Sequence, residues 1–126
     1  MTIKTGILAA VIGMGLVVAS AQAGTIKIGF NVPLTGFAAA DGLSAKTGAE
    51  LAVEQINAAG GIKGDMLELV VYDDQASPKE AVPIAQKLIE KDKVIAGVSG
   101  SYSGSTRAAA GVFQEAGVPY ISAYAI

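Results

Sequence analysis

The run Gln55-Ile56-Asn57-Ala58-Ala59-Gly60-Gly61-Ile62-Lys63-Gly64, followed by Leu67-Glu68-Leu69-Val70-Val71-Tyr72-Asp73-Asp74, constrains this chain most. It predicts a helix end, a glycine stop, a tight loop and a buried strand. Gly60 and Gly61 can take φ > 0, which a helix C-cap needs and most residues resist. Gly64 and Asp65 then turn the chain into the strand.

The flanking segments repeat this alternation. Ile26, Ile28, Phe30, Val32 and Leu34 alternate with Lys27, Gly29 and Asn31, which predicts a first strand. Pro33 marks its end, because proline cannot donate to a ladder. After the loop Thr35–Ala40, Asp41 is expected to cap a helix whose apolar face is Ala49, Ala52, Val53 and Ile56. Ser77-Pro78-Lys79-Glu80 reads as a capping box with proline at the first helical position. Ala81, Val82, Ala85, Leu88 and Ile89 form the buried stripe of that second helix, with a bend expected at Pro83. Val94–Val98 predicts a third strand, and Ala109, Val112, Phe113 and Ala116 a third helix stopped by Gly117. Val118–Ser122 predicts a fourth strand. Such alternation implies an α/β fold: a parallel sheet with helices on both faces. Ligands of such sheets bind outside the carboxyl ends of the strands. The loops there are Thr35–Ala40, Asp73–Ser77, Ser99–Ser105 and Ala123–Ile126.

The first residues have the pattern of an export signal. Lys4 supplies the positive end, Ile7–Ala19 is apolar and uncharged, and Ala21-Gln22-Ala23 is a small-x-small cleavage site. Residues 1–23 are therefore expected to be removed, leaving residues 24–126 with no direct membrane insertion. The apolar stretch falls short of the roughly 20 residues that span a bilayer. Lys4 is the one charge in this leader, so the processed chain carries 8 basic and 11 acidic residues, net −3. A weakly acidic domain without a basic cluster argues against a nucleic-acid partner. The chain has no cysteine, which excludes disulfides and an acylated N-terminal Cys.

Of the four loops, Ser99-Gly100-Ser101-Tyr102-Ser103-Gly104-Ser105-Thr106 is the best seat for a ligand. It joins a strand to a helix start, where free N–H groups and the helix dipole favour an anion. The hydroxyls of Ser101 and Ser103 suit a carboxylate, and Tyr102 offers a ring for stacking. The same residues also suit plain N-capping, and their types alone leave both readings open. Asp73 and Asp74 point to opposite strand faces and cannot easily share one metal ion. One is expected to bind N–H groups of the following turn and the other to be solvated. With no His and no Cys the common nucleophilic triads are unavailable. A nucleophile elbow, a P-loop and a dinucleotide fingerprint are also missing, so no enzyme and no cofactor is expected.

From about Thr25 onward, the succession helix, Gly60-Gly61-Ile62-Lys63-Gly64, strand, Tyr72-Asp73-Asp74 resembles the periplasmic binding proteins that serve branched-chain amino acid transporters. The resemblance implies the first part of lobe 1 of a type I periplasmic binding protein fold. It implies a periplasmic solute-binding component of an ABC importer, with an amino acid or amide as ligand and a membrane permease as partner. Two lobes would close on the ligand, and this chain would carry about half of the contacts, so it should bind free amino acid weakly. By the same resemblance Ser103 donates to the ligand α-carboxylate, and the segment at Tyr124 offers a backbone carbonyl to the α-ammonium. Ile126 stands where the family usually has a threonine that contacts both groups. Asp41 stands where leucine-binding members carry an aromatic over the ligand. These two departures put leucine-type specificity in question within the amino-acid or amide class. The alternatives are an extracellular sensor domain of the same fold, or a flavodoxin-like enzyme or regulator using Asp73 or Asp74.

Overall fold

The computed structural model describes residues 23–100, 102–123 and 125. The leader before Ala23, and Ser101, Tyr124 and Ile126 among the expected site residues, lie outside them. Four strands and three helices alternate: β1 (Thr25–Val32), α1 (Ala39–Ala58), β2 (Met66–Asp73), α2 (Pro78–Glu90), β3 (Ala96–Ser99), α3 (Ser103–Glu115) and β4 (Tyr120–Ser122). The strands form one parallel sheet in the order β2-β1-β3-β4. The expected α/β class is thus observed, with the carboxyl ends of all four strands on one edge.

The glycine stop behaves as its residue types dictate. Gly60 and Gly61 take φ of 101° and 73° after the C-cap Ala59, and the Gly61 amide returns to the Ile56 carbonyl at 2.9 Å. A Cβ on Gly61 would sit 2.0 Å from the Asp65 carbonyl oxygen, so only glycine fits. The Asn57 side chain then clamps the helix end to the next strand. Its Nδ2 donates to the Leu67 carbonyl at 2.9 Å, and its Oδ1 accepts the Leu67 amide at 2.7 Å.

Helices cover both faces of the sheet. A Cβ on Gly29 would point at Leu88 of α2, and one on Gly97 at Phe113 of α3, so these helices share one face. Ala81, Ala85, Leu88, Val94, Ala109 and Phe113 are buried there, and Phe113 stacks on Tyr120 with ring centroids 4.5 Å apart. Ala81, Ala85 and Leu88 of the expected α2 stripe lie in this core and Ile89 packs at its margin, but Ile84 packs there in place of Val82, which is half-buried. The helix is continuous through Pro83.

On the opposite face α1 packs against β2 and β1. Its inner side is Ala38, Gly42, Ala45, Ala49, Val53 and Asn57, at helical spacing. Here the sequence reading needs correction: Ala52 and Ile56 are exposed. Small residues bring α1 close, and a Cβ on Gly42 would fall 1.6 Å from the Pro33 carbonyl oxygen. The outer side carries Leu43 and Leu51, each 52% exposed. At the far edge of the sheet Ile121 is 64% exposed.

Boundary expectations change as well, and β4 begins at Tyr120 rather than Val118. Asp41 does not cap α1. A single 3₁₀ turn, Gly36–Ala38, runs straight into the helix, so Ala38 is the N-cap and Asp41 lies in the first turn. An acid there still suits the positive helix end. Ser77 is the N-cap of α2 and Pro78 its first residue, but the Ser77 side chain makes no cap bond; its carbonyl accepts the Glu80 and Ala81 amides instead. Finally, β3 begins at Ala96, two residues later than expected, because Val94 turns into the core with its amide on the Leu88 carbonyl.

Candidate functional site

The loops following β1, β2 and β3 meet at the carboxyl edge of the sheet, and each is fixed by a different device. Asp73 ties the first two together. Its Oδ1 accepts the amides of Leu34 (2.8 Å) and Gln75 (3.0 Å), and its Oδ2 accepts the Thr35 hydroxyl (2.6 Å). Burial pushes this carboxyl up, but the Thr35 hydroxyl and the Leu34, Gln75 and Thr35 amides outweigh it and hold the group below 3.8. Gln75 and Ala76 both have positive φ, 53° and 57°, and the two neighbouring acids hold their amides.

Asp74 is not solvated, against expectation; it is 1% exposed. Its Oδ1 accepts the Ala76 amide at 2.9 Å and its Oδ2 the Asn31 side-chain amide at 2.8 Å. Asn31 in turn accepts the Tyr120 hydroxyl at 2.5 Å. Tyr120 also bonds with Ser99, whose hydroxyl pairs with that of Thr106 in a short contact. Asn31 of β1, Asp74 just after β2, Ser99 of β3 and Tyr120 at the start of β4 thus form a chain of hydrogen bonds that reaches α3. This polar floor lies directly under the loop after β3. Gly100 is pressed onto it, with its amide on the Asn31 carbonyl at 2.8 Å; a Cβ there would be 2.4 Å from Val32.

Above the floor sits the start of α3. Tyr102 is its N-cap and makes no side-chain cap bond. Its carbonyl accepts the Thr106 amide at 2.9 Å and the Ser105 hydroxyl at 3.0 Å. Ser105 and Thr106 are therefore committed inward, and both are buried. Ser103 opens the helix, half-buried, so its amide and those of Gly104 and Ser105 belong to the first turn, at the positive end of the helix dipole. This geometry suits an anion such as a carboxylate.

Beside Ser103 the structure brings Tyr102 and Asp41 together, as two of the expected site residues. The Tyr102 hydroxyl donates to the Asp41 carboxylate at 3.1 Å. Phe37, which the sequence reading passed over, meets the Tyr102 ring edge-on with centroids 5.4 Å apart and is 81% exposed. Its isolated place in a loop of glycine and alanines is the one sequence signal that marked it. A shallow cleft lined by Gln86, Ile89, Glu90, Val112, Glu115 and Ala116 lies at the opposite ends of α2 and α3. Among the described residues no three acids, His or Cys gather as a metal site, and no helix is long and apolar enough to cross a membrane.

Loops gathered at the carboxyl edge of a parallel sheet lie where α/β folds of this kind bind their ligands. The sequence matches the periplasmic binding protein family over residues 25–126, and the chain belongs to that family. A leucine-, isoleucine-, valine-, threonine- and alanine-binding protein of Pseudomonas aeruginosa is 43% identical over 103 residues, 82% of this chain and 27% of the relative. Among solved structures, the branched-chain amino acid transporter substrate-binding protein LivJ of Streptococcus pneumoniae, in complex with isoleucine, superposes with a TM-score of 0.77. It is 46% identical, over 80% of this chain and 29% of that one. An ABC transporter solute-binding protein of Rhodopseudomonas palustris, in complex with 3,4-dihydroxybenzoic acid, gives a TM-score of 0.73 at 31% identity, over 80% of this chain and 27% of that one. The chain spans less than a third of the length of these relatives.

Proposed function

We propose that this chain supplies the ligand-facing part of the first lobe of a solute-binding protein, which delivers a branched-chain or related amino acid to the permease of an ABC importer. The observation that carries the reading is the start of α3 at the half-buried Ser103, set on the buried polar floor at the carboxyl edge of the sheet. The ligand carboxylate sits on the Ser103 hydroxyl and the first-turn amides. Ser101 and the Tyr124 backbone add polar contacts, while Ile126 lacks the hydroxyl that the family usually places there. Binding is non-covalent, and no step of it calls for an enzyme. Relatives that bind leucine, isoleucine, valine, threonine and alanine support the amino-acid class. Asp41, in the grip of the Tyr102 hydroxyl, puts a carboxylate beside the ligand side chain. That favours ligands with a hydrogen-bond donor over purely aliphatic ones. The protein acts in the periplasm after its leader is removed.

The test is an NMR titration of the protein with leucine, isoleucine, valine, threonine and alanine, and with the amine lacking the carboxylate. The Ser103 and Gly104 amides shift saturably with at least one amino acid and not with the amine. Ser103→Ala weakens that binding roughly tenfold, the loss expected for one hydrogen bond to a charged group. No shift with any amino acid, or equal shifts with the amine, overturns the reading.

A further inference from the structure

Gly24, the residue that follows the small-x-small site, is bound at both of its backbone polar groups. Its amide nitrogen donates to Asp65 Oδ1 at 2.8 Å, and its carbonyl accepts the Met66 amide at 2.9 Å. A Cβ at this position would lie 2.9 Å from the same Asp65 oxygen, so the carboxylate sits close against the Gly24 backbone. Asp65 is itself preset. Ile62 and Asp65 exchange two backbone hydrogen bonds, at 2.8 and 3.0 Å, across a turn in which Lys63 and Gly64 take φ of 53° and 93°. The carboxylate is thus held at the point where the chain enters β1 and β2 side by side.

In the unprocessed chain Gly24 offers one neutral N–H. Hydrolysis of the Ala23–Gly24 amide by a signal peptidase consumes one water. It leaves a carboxylate on Ala23 and an amine on Gly24, protonated at neutral pH. The nitrogen at 2.8 Å from Asp65 then carries a full charge. We propose that the Ile62–Asp65 turn is a receptor for the α-ammonium released by leader cleavage, and that processing adds a charged clasp between the first strand and the turn preceding the second. The proposal stands apart from the ligand reading. It also assigns a role to the Gly60–Gly64 loop beyond ending α1: the loop sets Asp65 in place.

The other charges near this end of the sheet are few. Lys63 lies in the turn itself. Lys27 and Glu68 are partners across β1 and β2, and Lys93 precedes the Ile95 amide that bonds the Lys27 carbonyl. None of them forms a described salt bridge; the one among the described residues joins Lys46 and Glu50.

The test compares the chain beginning at Gly24 with the same chain carrying Ala23 in front, a third with Gly24 N-terminally acetylated, and Asp65→Asn in the first two. The Gly24 chain melts roughly 2–5 °C above the other two at neutral pH, the range for a partly exposed ion pair in a domain of this size. Pairing raises the folded-state pKa of the amine above its unfolded value of about 7.7–8.0, so the stabilisation is complete below that value and lost as pH rises through the folded one. The gap therefore closes in alkali, and Asp65→Asn abolishes it. The acetylated chain keeps Asp65 intact, so it decides the matter even where the Asn variant folds poorly. Identical melting of the three chains at every pH overturns the proposal, as does a gap that survives Asp65→Asn. Mass spectrometry of the exported protein supplies the second arm: a first residue other than Gly24 also overturns it.

Discussion

The Tyr120 hydroxyl donates to the Asn31 side-chain oxygen at 2.5 Å, although β4 and β1 are not neighbours in the sheet. The bond passes over β3, which lies between them, and the Asn31 amide continues to Asp74 beyond the end of β2. Three elements are thereby locked by one buried side chain. Asn31→Ala leaves a phenol and a carboxylate without their shared partner in the interior. It is expected to destabilise by about 2–4 kcal/mol. Tyr120→Phe removes one hydroxyl, and about 1–2 kcal/mol is expected. Because the two residues share a bond, the double variant falls short of the sum. Urea unfolding of the four proteins checks this; additive losses count against the network.

The sequence foretold this protein where the physics is local. Gly60 and Gly61 need only the conformational freedom of glycine to end α1, and Ser77-Pro78 needs only the fixed φ of proline to start α2. The alternating strands and the stripe Ala81, Ala85, Leu88 follow from periodicity alone. The polar floor was not foretold. Asn31, Asp74, Ser99, Thr106 and Tyr120 come together only once the strand order β2-β1-β3-β4 is known. Asn31 and Ser99 are register partners, yet nothing in either strand announces the other. Asp41 lies inside α1 rather than at its cap for a related reason. Its type suits an N-cap, but the 3₁₀ turn before it depends on how Gly42 packs under Pro33. The loop that leads into α3 at Ser103 is legible in the sequence, whereas the aromatic pair beside it, Phe37 and Tyr102, joins segments far apart in sequence.

Alkali should expose the Tyr120 lock. Burial and the nearby Asp74 carboxylate push its phenol up to about 12, while its bonds with Ser99 and Asn31 pull the other way. An unfolded tyrosine titrates near 10. The folded value is the higher one, so the stabilisation is intact below about 10 and is lost as pH rises from there toward 12. Ultraviolet titration resolves this late phenol, and Tyr120→Phe removes both the late phenol and its share of the alkaline instability. A Tyr120 that titrates near 10 would sink the idea.

Acid should act through Asp73. Its carboxyl is held below the ordinary value of 3.8, so the unfolded chain binds the proton more readily. The stabilisation is complete above 3.8 and is lost as pH falls through the lowered value. Protonation frees the Leu34 and Gln75 amides and the Thr35 hydroxyl, and with them the loops after β1 and β2. Asp73→Asn is expected to be less stable near neutral pH and to show a flatter acid limb. Circular dichroism melts between about pH 7 and 2 follow both proteins through the carboxylate range. Parallel acid limbs would show that the clamp has no such role.

Two glycines of α1 should respond in opposite directions to the same change. Gly42 faces the sheet, and a Cβ there would lie 1.6 Å from the Pro33 carbonyl oxygen. No side-chain rotation relieves that contact, because both the probe atom and its neighbour are fixed to backbone. Gly42→Ala must push α1 away from β1, with a loss expected to exceed about 3 kcal/mol and to loosen the Asp41–Tyr102 contact as well. Gly48 lies six residues further on, exposed, with nothing within 4 Å of the corresponding position. There alanine adds no clash and restricts the unfolded chain, so Gly48→Ala is expected to stabilise by about 0.5–1 kcal/mol. Helix propensity predicts the same gain at both sites. Opposite signs in paired denaturation curves would therefore show that the closeness of α1 to Pro33, rather than its intrinsic helicity, sets the geometry of the loop that carries Phe37 to the carboxyl edge of the sheet.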